Sequence, residues 1–314
     1  MSRVAAIDCG TNSIRLLIAD VSEGNFRELY RTMEIVRLGQ GVDKNRSFDP
    51  AAIERTLRAT VSFSEEIARR GVTAIRFCAT SATRDAENRA LFIDGVREIL
   101  GIEPEVISGD EEARLSFAGA VSEMHPSDAP FLVIDIGGGS TEFVYGEKEV
   151  RSAKSVNIGC VRMSERHFAT APATSVSVAA AIADIDGAIG EAAKVVPIKQ
   201  ARTLIAVAGT ATTVAAAALD LEEYDRYAIH LSRISAEKTS EISKLFLSMT
   251  RDEISSLGYM HPGRVDVIAA GALVLDRIMK ATGATEFVAS ERDILDGMAW
   301  SISSPKTNNK NESR

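Results

Sequence analysis

At 314 residues, 45% hydrophobic and 25% charged, the chain has the composition of a soluble globular protein and length enough for two cores. Its formal net charge of -8 argues against nucleic-acid binding by bulk charge, so a polyanionic substrate would need Lys and Arg gathered locally in a cleft. Three scattered cysteines, Cys9, Cys78 and Cys160, argue against a disulfide framework or zinc site and fit a reducing compartment.

The first element is an apolar strand, Val4-Ala5-Ala6-Ile7, that runs into Asp8-Cys9-Gly10-Thr11-Asn12-Ser13 and then a second apolar run through Ile18. No signal peptide is expected ahead of it, and the expected location is cytoplasmic. Asp49-Pro50 starts a helix, with a capping Asp and Pro in the first turn; Ile53, Leu57 and Val61 repeat at helical spacing, and Gly71 ends it. Val72 to Cys78 reads as a buried strand. Its carboxyl end carries Ala79-Thr80-Ser81-Ala82-Thr83-Arg84-Asp85, where α/β proteins usually place a ligand crevice. Arg84 there is either a phosphate clamp or an incidental charge at a helix cap, and Arg89 lies one turn further. A helix from about Asp85 to Leu100 and a short strand at Glu105-Val106-Ile107 follow.

Ser108 and Glu111 then form a capping-box pattern in Ser108-Gly109-Asp110-Glu111-Glu112-Ala113-Arg114. That gives Glu111 a structural job and leaves Glu112 unassigned, as a general base or as a surface carboxylate favoured by the helix dipole. Met124 to Ala129 reads as a linker.

The second half opens as the first does. Phe131-Leu132-Val133-Ile134 leads to Asp135-Ile136-Gly137-Gly138-Gly139-Ser140, then to Phe143-Val144-Tyr145. Helices are expected at about Ser175–Val195, at an Ala-rich segment after a strand at Leu204–Val207, at Ala236–Met249 and at Gly263–Lys280. Between that strand and its helix, Ala208-Gly209-Thr210-Ala211-Thr212-Thr213 offers another anion site. Gly263-Arg264-Val265-Asp266 opens a helix, with Arg264 either facing the cleft and held by Asp266 or, as the sequence alone favours, a solvated surface charge. Glu286–Ala289 is the last strand, and Ser290 with Asp293 is expected to cap the last helix. The four histidines, His125, His167, His230 and His261, pair with nothing by spacing.

The repeated unit carries the chemistry. Each copy is a buried strand, an Asp, a Gly-bearing turn ending in Ser five residues later, and a second strand. Glycines let backbone N–H groups approach an anion, successive N–H groups form a nest, and a strand-end carboxylate suits Mg²⁺. One copy alone is as readily an ordinary hairpin as a phosphate loop; two with equal spacing argue for a shared phosphate site in a cleft between two α/β halves.

These stretches, with Gly159-Cys160-Val161-Arg162 and Arg264-Val265-Asp266-Val267-Ile268, resemble the exopolyphosphatase/guanosine pentaphosphate phosphohydrolase (Ppx/GppA) family, within the actin-like ATPase superfamily. The resemblance implies an α/β fold of two actin-like (ribonuclease H-like) domains, 1–125 and 126–303, with the last helix returning to the first; the polar, charged composition of 304–314 is expected to make a disordered tail. It implies removal of the terminal phosphate of inorganic polyphosphate; the alternatives are pppGpp 5′-phosphohydrolysis and a non-catalytic module that binds (p)ppGpp or a phosphate chain. It implies Glu112 as the base and the loops of Asp8 and Asp135 as the site of Mg²⁺, with Mn²⁺ as the substitute and Glu142 as a lesser candidate ligand. Phosphate binding falls to Gly10, Thr11, Asn12, Ser13, Arg84, Gly137, Gly138, Gly139, Ser140, Gly209, Thr210 and Arg264. A homodimer is expected, with no nucleic-acid or membrane partner. Longer members carry a C-terminal helical region that is not expected here, and the single Gly209 after Ala208 replaces the Gly pair of nucleotide-binding relatives.

Overall fold

The computed structural model describes residues 1–303, so the tail expected at 304–314 lies outside the described residues. Two sheets organise it. The first contains β1 (Ser2–Cys9), β2 (Ser13–Ser22), β3 (Asn25–Ile35), β4 (Ala74–Ala79) and β5 (Glu105–Val106), in spatial order β3-β2-β1-β4-β5. The second contains β6 (Phe131–Ile136), β7 (Thr141–Gly146), β8 (Val150–Val156), β9 (Thr203–Val207), β10 (Arg233–Ser235) and β11 (Glu286–Ala289), in order β10-β11-β9-β6-β7-β8.

The two orders are one plan. In each sheet three strands form an antiparallel meander, and the first of them also pairs in parallel with a later strand, β1 with β4 and β6 with β9. Each sheet continues with one more parallel strand, β5 on β4 and β11 on β9, and the second adds the antiparallel edge strand β10. This is a duplicated α/β architecture, as the repeated strand-loop unit implied. Because helices cover both faces, β6 and β7 are buried at every position, which is why they read as continuous apolar runs rather than alternating ones.

On one face of the first sheet lies the helix Pro50–Arg69, begun by the Asp49 carboxylate accepting the Ala51 N–H. Its Phe63 and Ile67 pack with Ile7, Ile14, Phe77 and Phe92. The opposite face is closed by the end of the described chain. Ile294, Leu295, Met298 and Ala299 of the helix Ile294–Ser303 pack on Val4, Ala6, Leu17 and Ala19. The helix Gly109–Val121 lies between the sheets: Leu115 joins that cluster, whereas Ala113, Phe117 and Ala120 pack on Val133, Val144 and Ile205 of the second sheet. The other face of the second sheet carries the helices Ser175–Ala193, Ala208–Ala218, Ala236–Ser248 and Ile268–Thr282. Among the described residues no helix is long and apolar enough to cross a membrane.

Several expected boundaries move. The single helix expected at 85–100 is two, Ser81–Asp85 and Arg89–Leu100, because Ala86 is extended and Asn88 is engaged with both backbone groups of Phe48. The helix expected from Gly263 starts at Ile268, after a 3-10 turn at Pro262–Arg264. Ser290 does not cap the last helix. Its hydroxyl bonds to Arg292, while the Asp293 side chain accepts the Leu295 N–H and the Asp296 carboxylate accepts the Asp293 N–H.

Candidate active site

Both Asp-led loops open into one cavity of about 110 Å³, lined by Asp8, Gly10 to Ser13, Asp135 and Gly137 to Ser140, together with Thr80, Ser81 and Glu112. Each loop closes with the same bond. Gly10 N–H donates to the Ser13 carbonyl at 2.9 Å, and Gly137 N–H to the Ser140 carbonyl at 3.0 Å. The loops touch: a Cβ on Gly138 would stand 2.8 Å from Thr11 Cβ, and one on Gly139 2.6 Å from Ser81 Oγ.

The second loop is held from behind. Cys160 N–H donates to Gly137 O at 2.9 Å, Val161 and Arg162 N–H to Gly138 O at 2.9 and 3.1 Å, and Gly159 N–H to Gly139 O at 3.3 Å. A planar trans peptide points its N–H opposite its carbonyl. The N–H groups of Gly138, Gly139 and Ser140 are therefore turned away from that helix start, on the cavity side, which is the geometry of an anion nest.

The acids differ in their neighbours. Asp8, Asp135 and Glu112 are 5%, 6% and 9% exposed. Asp8 takes Arg15 through two guanidinium bonds of 3.0 and 2.7 Å to Oδ2; Asp135 takes the Ser116 hydroxyl at 2.6 Å. Burial raises the Asp8 carboxyl against the pull of Arg15, and raises Asp135, with Asp293 pushing further. Glu112 is pushed up to about 7 by burial, against the attraction of Arg84, with Asp135 and then Asp8 adding to the rise. Glu142 sits opposite Asp135 in the β6–β7 register, fully buried behind the cavity wall. Ser155 donates to its Oε1 at 2.7 Å, its Oε2 has no partner, and burial followed by Glu112 and Asp135 raises it well above the usual range.

The basic residues sort differently from the sequence expectation. Arg264 lines the cavity, donating to Thr213 Oγ1 at 2.9 Å; a Cβ on Gly209 would stand 2.6 Å from its Cζ, so the third loop and Arg264 form one wall with Thr210. Asp266 does not hold Arg264: it pairs with Arg37 at 2.9 Å and Arg251 at 3.2 Å. Arg84 is turned to Glu112 Oε2 at 2.8 Å and the Ile107 carbonyl at 2.9 Å, behind the cavity rather than in its wall. Arg89 is away from it, bonded to the Arg84 carbonyl. Glu111 does not reach back to the cap; Ser108 accepts the Glu111 N–H, but the Glu111 carboxylate pairs with Arg76. The histidines are not without partners either: His167 bonds Asp184 at 2.9 Å and His230 bonds Glu123 at 2.6 Å.

Arg15 and Asp293, which pair with each other in the cavity region, were not among the expected site residues. Arg15 stands two residues beyond Ser13 on a strand, hence on the same side, and that period-2 placement is the signal that marks it. A second cavity of about 580 Å³ adjoins the first through Arg15, Gly209 and Arg264, with Tyr224 and Tyr259 in its wall. Ala208 enters it at φ 67, a left-handed conformation that costs a non-glycine residue on the order of 1 kcal/mol.

The carboxylates and hydroxyls around the loops offer oxygen ligands. Among the described residues no three His, Cys, Asp or Glu side chains are spaced to cage a metal. The set fits an ion such as Mg²⁺, which is usually held by one or two carboxylates and completed by water and substrate phosphates. The arrangement can bind a phosphate end at the N–H groups of the second loop, with the first loop opposite and a buried carboxylate beside it.

Comparison with known proteins agrees with that reading. The chain is 44% identical over 315 residues to exopolyphosphatase 2 of Mycobacterium tuberculosis, covering 96% of this chain and 99% of that protein. A crystal structure of an exopolyphosphatase-like protein matches with a TM-score of 0.92 at 44% identity, covering 96% of this chain and 98% of the other. An exopolyphosphatase from Cytophaga hutchinsonii matches with a TM-score of 0.88 at 25% identity, covering 96% and 98%. The Ppx/GppA phosphatase family matches residues 17–303, which take in Glu112, the second loop and Arg264, and the chain belongs to that family.

Proposed function

We propose that this protein is an exopolyphosphatase that releases orthophosphate from the end of inorganic polyphosphate. One observation carries the reading: a buried glutamate, Glu112, shares a cavity with two phosphate-type loops, in a chain 44% identical to a relative named exopolyphosphatase 2. The loops' N–H groups bind the terminal phosphoryl oxygens, with Arg264 on the neighbouring wall. Water attacks the terminal phosphorus, Glu112 takes the water proton, the bridging P–O bond breaks, and the shortened chain leaves with the electron pair. Arg84 opposes the burial that would otherwise keep Glu112 protonated. Asp8 and Asp135 would hold Mg²⁺ (or Mn²⁺), with Glu142 behind them; the bound ion neutralises charge on the phosphates.

The second cavity supports a second reading, pppGpp 5′-phosphohydrolase, because Tyr224 and Tyr259 offer rings to a base next to the phosphate loops. Orthophosphate release from polyphosphate, pppGpp and ATP, each with and without chelator, separates the readings. Polyphosphate is expected to be turned over fastest and only with metal. Release from pppGpp alone supports the second reading, and release from none of the three removes both.

A further inference from the structure

We infer that Arg162 is a positioning residue: its guanidinium aims the second phosphate loop and fastens it to the Thr80–Asp85 turn of the other half. The inference rests on the proposed activity for its kinetic readout, not for its geometry.

Gly139 is the loop glycine with the weakest support from the helix behind it, a single N–H at 3.3 Å. Arg162 supplies the stronger bond, Nε to the Gly139 carbonyl at 2.7 Å. By peptide planarity, holding that carbonyl orients the Ser140 N–H, the last donor of the nest. The other two nitrogens of the same guanidinium leave the second half. Nη2 donates to Asp85 at 2.6 Å and Nη1 to Asp43. Asp85 ends the short helix whose first residue, Ser81, touches Gly139, so the guanidinium spans both ends of that contact.

The surroundings suit a rigid strut rather than a surface ion pair. Arg162 is 7% exposed. The helix start that carries it is pressed against the loop: a Cβ on Gly159 would stand 2.3 Å from the Gly138 carbonyl carbon. Asp43 is shared with Arg166, and the Glu165 carboxylate accepts the Gly41 N–H at 2.9 Å, so the same helix turn docks on the first half at three points. A planar fork with several donors is what arginine provides and lysine does not.

The test compares the wild-type protein with Arg162→Met, Arg162→Lys, Arg162→Ala and Asp85→Asn. Misplacing a phosphate-binding loop by about an ångström costs on the order of a hundredfold in rate. Arg162→Met is expected to lose that much in kcat/KM, with kcat falling and KM rising together. Arg162→Lys should recover little, Asp85→Asn should show a smaller loss of the same kind, and millimolar guanidinium should partly restore Arg162→Ala. Folded Arg162→Met or Asp85→Asn with unchanged kcat/KM and only a lowered Tm would overturn the assignment. If the wild-type protein releases no phosphate, the functional reading falls by itself. Hydrogen exchange of a peptide covering 137–141 then decides: faster exchange in Asp85→Asn and Arg162→Met supports the strut, and equal exchange refutes it.

Discussion

The two Asp-led loops have the same length, the same closing bond and the same place in their sheets, yet different partners for their carboxylates. Asp8 is answered by a guanidinium, whereas Asp135 is answered by a hydroxyl. The first loop has one glycine. Its Thr11 and Asn12 carbonyls are held by the Val36, Arg37 and Gly39 N–H groups. The second loop has three glycines, and a helix start and an arginine side chain hold its carbonyls. Duplication kept the shape and let the charge diverge. The first loop's aspartate has an arginine beside it, and the second loop's has a hydroxyl. Glu112 belongs with the second, since the charge of Asp135 raises it more than that of Asp8 does.

Glu112→Gln gives the largest expected effect and tests whether the chemistry sits on that side. Losing a general base typically costs ~10² to 10⁴ in rate, so turnover should collapse while folding survives. Near-normal kcat in Glu112→Gln, with collapse in Glu111→Gln, would move the base to the neighbour. The glycines sharpen the contrast next. A Cβ on Gly138 meets Thr11 at 2.8 Å, whereas one on Gly10 meets nothing nearer than 3.6 Å. Gly138→Ala should cost kcat/KM on the order of a hundredfold by parting the loops, and Gly10→Ala should stay close to wild type in steady-state assays.

The aspartates break the comparison if they behave alike. Asp135→Asn is expected to raise the Mg²⁺ concentration for half-maximal activity by about tenfold or more. Asp8→Asn should shift it less and lower Tm more, because it removes one of the two carboxylates that compensate Arg15. The smallest effect is on pH. Glu112 must be ionised to accept a proton, and Arg84 holds its pKa down, so activity should fall on the acid side. Arg84→Gln should move that limb to higher pH by about one unit; an unmoved limb would mean that another group titrates there.

Much of this was legible in the sequence, and the parts that were not share a cause. Buried strands ending in Asp and a Gly turn announce themselves, because their residues answer to local geometry. The strands β3, β8 and β10 did not, since their exposed residues carry the polar, irregular pattern of partly solvated edges. Ser108 was readable as a cap, but the pairing of Glu111 with Arg76 was not, because Arg76 arrives from another strand. Asp266 went to Arg37 and Arg251 for the same reason. Which cation meets which carboxylate is decided by tertiary placement, and spacing along the chain carries little of it.

The last helix has a consequence for the order of assembly. Ile294, Leu295 and Met298 cover strands made at the very beginning, and Asp293 reaches Arg15 across 278 positions of sequence. During synthesis the first sheet must wait, with one apolar face uncovered, until nearly the whole described chain has emerged. Contacts of such long range slow folding, and exposed apolar surface invites association meanwhile. The first half is thus a late-maturing unit despite being made first, and loss of the closing helix would be felt at the opposite end of the chain.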